Sequence, residues 1–172
     1  MPFELLTHFE VLDPPTKYVH KYKKKKYNKD GNIIKEQSYY MTANLFYGGN
    51  VHWSMIRKVT NHAKDFILPL LVTIPKMEKC RIEVTYHHPN AQFDLDNKVY
   101  FWVKVILDLF TPPTEKEKEY AKKYNRQLKS IYVLEDDSVK YIDDISMKYK
   151  RGAHKLELKV FGRLAVEQIS LF

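Results

Sequence analysis

The chain has 172 residues, a formal net charge of +8 and 44% apolar residues. This length indicates one domain, and the apolar share can supply a core of ordinary size. The single cysteine, Cys80, excludes an intramolecular disulfide and an all-cysteine zinc site, and it fits a reducing, cytoplasmic compartment. No stretch approaches roughly 18 consecutive apolar residues, so no membrane span is expected. The first residues lack the basic flank and apolar run of a signal peptide.

A lysine-rich segment dominates the first quarter of the chain. Residues 3–12 predict a first strand, and residues 17–40 predict a β-hairpin that turns at Asp30-Gly31-Asn32. Between Lys17 and Lys29 there are seven lysines and no acidic residue, interleaved with tyrosine and histidine. Lysines neutralise phosphates and tyrosines stack on bases, so this segment is a candidate DNA-binding surface; the alternative is a solvated hairpin. The candidate contacts are Lys21, Lys23, Lys24, Lys25 and Lys26.

The rest of the chain alternates between helical and extended patterns. The predicted elements are a connecting loop at 42–53, a helix at 54–68, a strand at 80–87, a helix at 97–110, a charged helix at 115–129, a short strand at 131–133, and two final strands at 139–149 and 154–161. Pro69 is expected to end the first helix, and Thr114 with Glu117 forms a capping-box pattern before the charged one. A turn at Arg151-Gly152 joins the last two strands. This order predicts a single α/β (α+β) domain with a small mixed sheet flanked by helices.

Two acidic motifs stand out against the basic composition. The first is Asp94-Leu95-Asp96-Asn97, and the second is Glu135-Asp136-Asp137. Clustered carboxylates repel one another without a cation, and hard oxygen ligands suit Mg²⁺, which activates water in phosphodiester hydrolysis. The alternatives are that Asp96 is the N-cap of the following helix and that Asp136 and Asp137 form a turn.

Further motifs occur in order around the two acidic ones. Upstream lie Thr42-Ala43-Asn44, His52-Trp53 and Arg57, and downstream lies the helical segment Lys104-Val105-Ile106-Leu107-Asp108. Together with the acidic motifs, these resemble the RusA-like family of Holliday-junction resolvases over roughly residues 42–161. In this resemblance the lysine-rich hairpin at 17–40 and the charged segment at 112–130 are insertions.

The resemblance implies a homodimeric RusA-like endonuclease that depends on Mg²⁺, with Mn²⁺ as a possible substitute and no organic cofactor. Such enzymes resolve four-way DNA junctions by paired symmetric nicks in recombination and repair. Asp94, Asp96 and Asp137 would be catalytic and would hold metal with Asp136, and Lys104 would stabilise charge at the scissile phosphate. Lys98 is the other candidate for the catalytic lysine. The resemblance assigns DNA binding to Asn44, His52 and Arg57, and Lys98 is a further DNA-binding candidate.

Two alternatives remain open on the sequence. The first is a nuclease with another branched-DNA substrate, such as a flap or a replication fork. The second is a basic DNA-binding protein without catalysis, whose binding would weaken steeply with salt.

Overall fold

A four-stranded mixed sheet, covered on one side by helices, organises the residues that the computed structural model describes, 2–90 and 95–164. In these ranges the strands are β1 (Glu4–Leu12), β2 (Lys17–Tyr27), β3 (Ile33–Tyr40), β4 (Met77–His88), β5 (Ile142–Arg151) and β6 (Lys155–Leu164). The helices are α1 (Asn44–Tyr47), α2 (Trp53–Leu71), α3 (Leu95–Phe110) and α4 (Glu115–Lys123). The predicted single α+β domain with a small mixed sheet is confirmed. Of the described helices, none is both long and apolar enough to cross a membrane.

The order of strands in the main sheet is β1-β6-β4-β5. Strand β6 runs antiparallel to both β1 and β4, whereas β5 runs parallel to β4. The short connection from Arg151 to Lys155 therefore crosses the end of β4 instead of forming a hairpin between the last two strands. Strands β2 and β3 form a separate antiparallel sheet, as the predicted hairpin requires.

The core lies between one face of the main sheet and helices α2 and α3. Strand β4 buries Ile82 and Val84, and β6 buries Leu156, Leu158 and Val160, because alternate side chains of a strand share a face. On the opposite face of β4, Thr85 and His87 are also buried. Neighbouring long side chains on β6 cover them, including Glu157, which contacts His87. We call this polar side of the sheet the open face.

Helix α2 is longer than the sequence predicts. Pro69 lies inside its last turn, and the helix continues to Leu71. A proline there removes one backbone hydrogen bond, but Ile67 and Leu71 are fully buried, so tertiary packing holds the last turn in place. The predicted start at Ser54 is nearly right, because His52 is the N-cap and its ring accepts a hydrogen bond from the Ser54 amide.

Three further predictions need correction. The expected loop at 42–53 contains the short helix α1. The charged helix has its predicted capping box but ends at Lys123, and Asn125 then adopts a φ of 46°. Residues 131–133 are not a strand, because Tyr132 has a φ of 47° and this segment instead donates its amides to the C-terminal carbonyls of α3. That docking places Glu135-Asp136-Asp137 beside α3.

Candidate functional site

The second acidic motif lines a groove against the C-terminal half of α3. We define the acidic groove by the residues that line it, which are Lys104, Asp108, Thr111, Pro112, Thr114, Glu117, Glu135, Asp136 and Asp137. Its volume is about 450 Å³. The structure therefore brings together three predicted site residues, Lys104, Asp136 and Asp137, and places Asp108 and Glu135 beside them.

Lys104 is held as a cation in this groove. Its ammonium donates a hydrogen bond of 2.8 Å to Oδ1 of Asp108, one turn later on the same helix. Partial burial alone would lower the pKa of Lys104, but the hydrogen bond to Asp108 and the charges of Asp108 and Asp137 raise it above its ordinary value. A lysine in this state is suited to stabilising negative charge and not to accepting a proton.

The three carboxylates of the second motif are exposed and differ in how they are engaged. Glu135 accepts a hydrogen bond of 2.8 Å from the Tyr132 hydroxyl, and Oδ1 of Asp136 accepts one from the Asp137 amide. Among the described residues no group donates a hydrogen bond to the Asp137 carboxylate, which faces the Lys104 charge. These oxygens are of the hard type that Mg²⁺ prefers, and Mg²⁺ needs only one or two carboxylates alongside water and phosphate.

The first acidic motif lies largely outside the described residues. Asp94 is not among them, and for Asp96 the structure describes the backbone alone. Helix α3 begins at Leu95, so Asp96 is its second residue and not its N-cap. Along the axis, Asp96 and Lys104 are separated by eight residues, or roughly 12 Å between backbones. Whether Asp94 and Asp96 join Asp137 in one site stays a prediction.

Lys98 is buried near the start of α3, with 8% of its surface exposed. Burial lowers its pKa. Contact with DNA would require that its ammonium become exposed. Lys104 lines the acidic groove, so it is the better placed of the two lysines for the chemistry of that groove.

The predicted DNA-binding lysines lie on the hairpin formed by β2 and β3, which we call the basic hairpin. All five are exposed: Lys21, Lys23, Lys24, Lys25 and Lys26. The strand register shifts between Lys21 and Lys26, so the three lysines between them lie outside the regular ladder. The Lys26 ammonium donates a 2.8 Å hydrogen bond to the Tyr22 hydroxyl and lies over its ring, and this hydrogen bond lowers the pKa of Tyr22.

An open pocket separates the basic hairpin from the start of α2. The hairpin contributes Tyr22 and Lys26, and the facing segment contributes Asn44 and His52. Its volume is about 690 Å³. The structure thus places two of the upstream candidates beside the basic hairpin, and both are exposed.

The third upstream candidate, Arg57, lies on another side of α2. Its guanidinium stacks on the Tyr120 ring of α4, 4.0 Å from the ring centre. Trp53 is 58% exposed and meets Tyr120 edge-on, with the ring centres 6.5 Å apart. The exposed Trp53 ring, close to a cation, is chemically suited to stacking on bases.

Sequence reasoning missed two charged residues that complete this region. Glu117 closes the capping box of α4 and also lines the acidic groove. Lys64 on α2 is only 7% exposed and lies 3.9 Å from Asp108. A signal for it existed, because Lys64 follows Ala63 and lies three residues before Ile67, within the buried stripe of α2.

A second cluster of potential metal ligands lies on the open face. Within residues 2–90 and 95–164, the group of three or more ligand side chains with mutual spacing under 4.8 Å is His8, Glu10 and Glu157. Glu157 contacts His8 at 3.1 Å and His87 at 3.3 Å. Lys155 pairs with Glu10 at 2.7 Å and Lys159 with Glu157 at 3.4 Å, so protein cations already balance both carboxylates. None of these residues was a predicted ligand.

Comparison with protein-family models, with curated protein sequences and with solved structures found no match. The resemblance to the RusA-like family therefore rests on the sequence motifs.

Proposed function

We propose that this protein is a divalent-metal-dependent endonuclease of branched DNA, and specifically that it resolves four-way junctions. The observation that carries the proposal is the acidic groove, in which Asp136 and Asp137 face the Lys104–Asp108 pair of the helix that begins with the first acidic motif. A groove that combines open carboxylates with a fixed cation has the two charges that phosphodiester hydrolysis needs.

The oxygen donors of the groove fit Mg²⁺ or Mn²⁺. Asp136 and Asp137 would hold the ion, with Asp94 and Asp96 as further ligands by the family resemblance. When bound, the metal supplies an activated water and offsets charge on the phosphate. Asp137 suits this role because no described group hydrogen-bonds to its carboxylate, so ion binding breaks no such protein contact.

Lys104 would place its positive charge at the scissile phosphate or the leaving oxygen. Its raised pKa keeps it protonated at neutral pH. The hydrogen bond to Asp108 orients the ammonium before substrate arrives, so less rotational freedom is lost on binding. Asp108 is thus a positioning residue in this proposal.

The basic surfaces support a DNA path to the groove. Ser54 lines both the open pocket beside the basic hairpin and a cavity on the other side of α2, and that cavity shares Asp108 and Glu117 with the acidic groove. The exposed hairpin lysines would bind backbone phosphates at the far end of this path. Two cuts in a two-fold junction need two sites, so we expect a symmetric homodimer.

The test compares a labelled four-way junction with a matched linear duplex, in Mg²⁺ or EDTA, using the wild type and Asp96→Asn. We expect paired symmetric nicks in the junction alone, absent in EDTA and in the variant. A flap and a fork substrate in the same panel separate a resolvase from a nuclease with another branched preference.

A contrary result would favour the second hypothesis. Tight, salt-sensitive junction binding with no product in Mg²⁺ or Mn²⁺ would overturn the catalytic proposal and leave a DNA-binding protein. The basic hairpin, on which all five candidate lysines are exposed, is the feature that favours this alternative.

A further inference from the structure

A cavity of about 120 Å³ lies between α2, the end of α4 and the segment that follows α4. Its wall is rich in cations: Arg57, Lys58, Lys64, Arg126 and Lys129. The acidic residues in the wall are Asp108 and Glu117. A water needs only about 10–15 Å³ of such volume, so the cavity has room for several waters or for one tetrahedral oxyanion.

Lys64 is the most buried cation of this wall, and its ion pair with Asp108 is long. More than nine-tenths of the residue is buried. Its ammonium lies 3.9 Å from Oδ2 of Asp108, beyond hydrogen-bond distance, while the other Asp108 oxygen accepts the hydrogen bond from Lys104. Among the described residues no acceptor hydrogen-bonds to the Lys64 ammonium. Burial lowers the pKa of Lys64, and the charges of Asp108 and Glu117 only partly oppose this shift.

The two carboxylates of the wall also have partners outside the cavity. Glu117 accepts hydrogen bonds from the backbone and hydroxyl of Thr114, at 2.9 and 2.8 Å. Asp108 is shared between Lys104 and Lys64. The acidic groups of the cavity therefore do not balance its cations.

The other cations differ in availability. Lys129 pairs with Asp65 and donates to the Asn61 carbonyl, so it is largely satisfied within the protein. Arg57 stacks on Tyr120, 4.0 Å from the ring centre, and is half-buried. Lys58 and Arg126 are exposed at the rim. One buried and three more accessible cations thus point to an anionic ligand.

We infer that this cavity binds a phosphate group, with Lys64 at its base and Arg57 and Arg126 at its rim. Guanidinium and ammonium donors around a small enclosed volume match the charge and the hydrogen-bond acceptors of a tetrahedral oxyanion.

The inference deepens the proposed function, on which its nucleic-acid part rests. The cavity and the acidic groove share Asp108 and Glu117, so a phosphate in the cavity would be a close neighbour of one in the groove. In a nucleic acid this ligand is either a backbone phosphodiester or a terminal phosphate monoester. The cavity would then fix the position of the nucleic-acid strand along the acidic groove.

The first arm of the test uses inorganic phosphate without DNA or metal. Isothermal titration is carried out with the wild type, Lys64→Met and Lys148→Met, a control on the open face. We expect saturable binding of one phosphate, at least tenfold weaker binding in Lys64→Met and no change in the control. Absence of saturable binding by the wild type, or equal binding by folded Lys64→Met, would overturn the inference.

A rim variant keeps the test decisive if Lys64→Met does not fold. Arg126 is exposed, so Arg126→Gln should fold, and we expect it to weaken phosphate binding several-fold. Unchanged binding in this variant would then overturn the assigned site.

The second arm identifies the source of the phosphate. Short single strands with and without a 5′-phosphate are bound in EDTA, and inorganic phosphate is added as competitor. Preference for the phosphorylated strand would assign a terminal monoester, and equal, competed binding would assign a backbone diester. Failure of phosphate to compete with either strand would overturn the nucleic-acid assignment. Neither arm measures cleavage, so failure of the nuclease proposal stays distinguishable.

Discussion

The acidic groove and the His8–Glu10–Glu157 cluster both concentrate ionisable side chains, but they differ in how those side chains are already used. On the open face, Glu157 contacts two histidines and Lys159, and Glu10 pairs with Lys155. In the groove, the Asp137 carboxylate accepts no hydrogen bond from any described group, and its charge helps to raise the pKa of Lys104. The potential ligand atoms are therefore closer together on the open face. The carboxylates of the groove, however, have fewer protein partners that a metal ion would have to displace.

The largest expected effect separates these two regions by activity. Asp137→Asn should reduce Mg²⁺-dependent junction cleavage on the order of 10²-fold or more, because it removes a charge that would hold the metal at the phosphate. Glu157→Gln should leave the rate within about twofold of the wild type once the folded fraction is matched. Initial rates on a labelled junction measure both. Equal losses in the two variants would remove the distinction on which the groove assignment depends.

A smaller effect concerns which lysines meet DNA. Replacing Lys24 and Lys25 with glutamine should weaken junction binding and reduce the magnitude of the slope of log K against log salt by up to about 1.8, at roughly 0.9 per lost phosphate contact. The same change at Lys148 and Lys150, both exposed on β5, should leave the slope unchanged. Binding titrations at several salt concentrations supply the slopes. A slope that follows the β5 pair would place DNA on the open face.

The smallest expected effect concerns how much the ionised Glu157 carboxylate contributes to the free energy of unfolding. Burial alone would raise its pKa, but hydrogen bonds from His87, Lys159 and His8 together hold it below the ordinary value of 4.5. A lowered folded pKa means that the stabilisation is present above about pH 4.5 and is lost as pH falls through the folded value. We expect Glu157→Gln to cost about 1 kcal/mol at pH 6 and progressively less as the pH falls below about 4.5, measured by urea unfolding. A difference that persists unchanged at pH 3 would contradict the ionic origin.

Local patterns predicted the elements better than their connections. The alternation in β4 and the helical period of α3 are properties of neighbouring residues, and both elements are found. Residues 131–133 have strand-like composition, but the positive φ of Tyr132 and hydrogen bonds to the end of α3 override it. Those bonds join residues about twenty positions apart, which no local pattern encodes.

The same limit applies to the candidate site. Lys104 and Asp108 are spaced i,i+4, which puts them on one side of α3, and the two side chains form an ion pair there. The contact between Lys64 and Asp108 joins α2 to α3, so it depends on how the two helices pack and no local pattern predicts it. In the sequence, Lys64 only interrupts an apolar stripe of α2. In the folded protein, it forms the base of a cavity.

The pairing of β1 with β6 also constrains how the chain is made. Glu4 lies opposite Gly162, so β1 gains its hydrogen-bonded neighbour only after the residues up to Gly162 are synthesised. Strand β4 likewise lacks both neighbours until β5 and β6 emerge. Contacts of such long range slow folding, and unpaired apolar strands invite association with other chains. A nascent chain that stalls after α4 would therefore expose β1 and β4 without their neighbouring strands. We expect chaperones to bind such nascent chains.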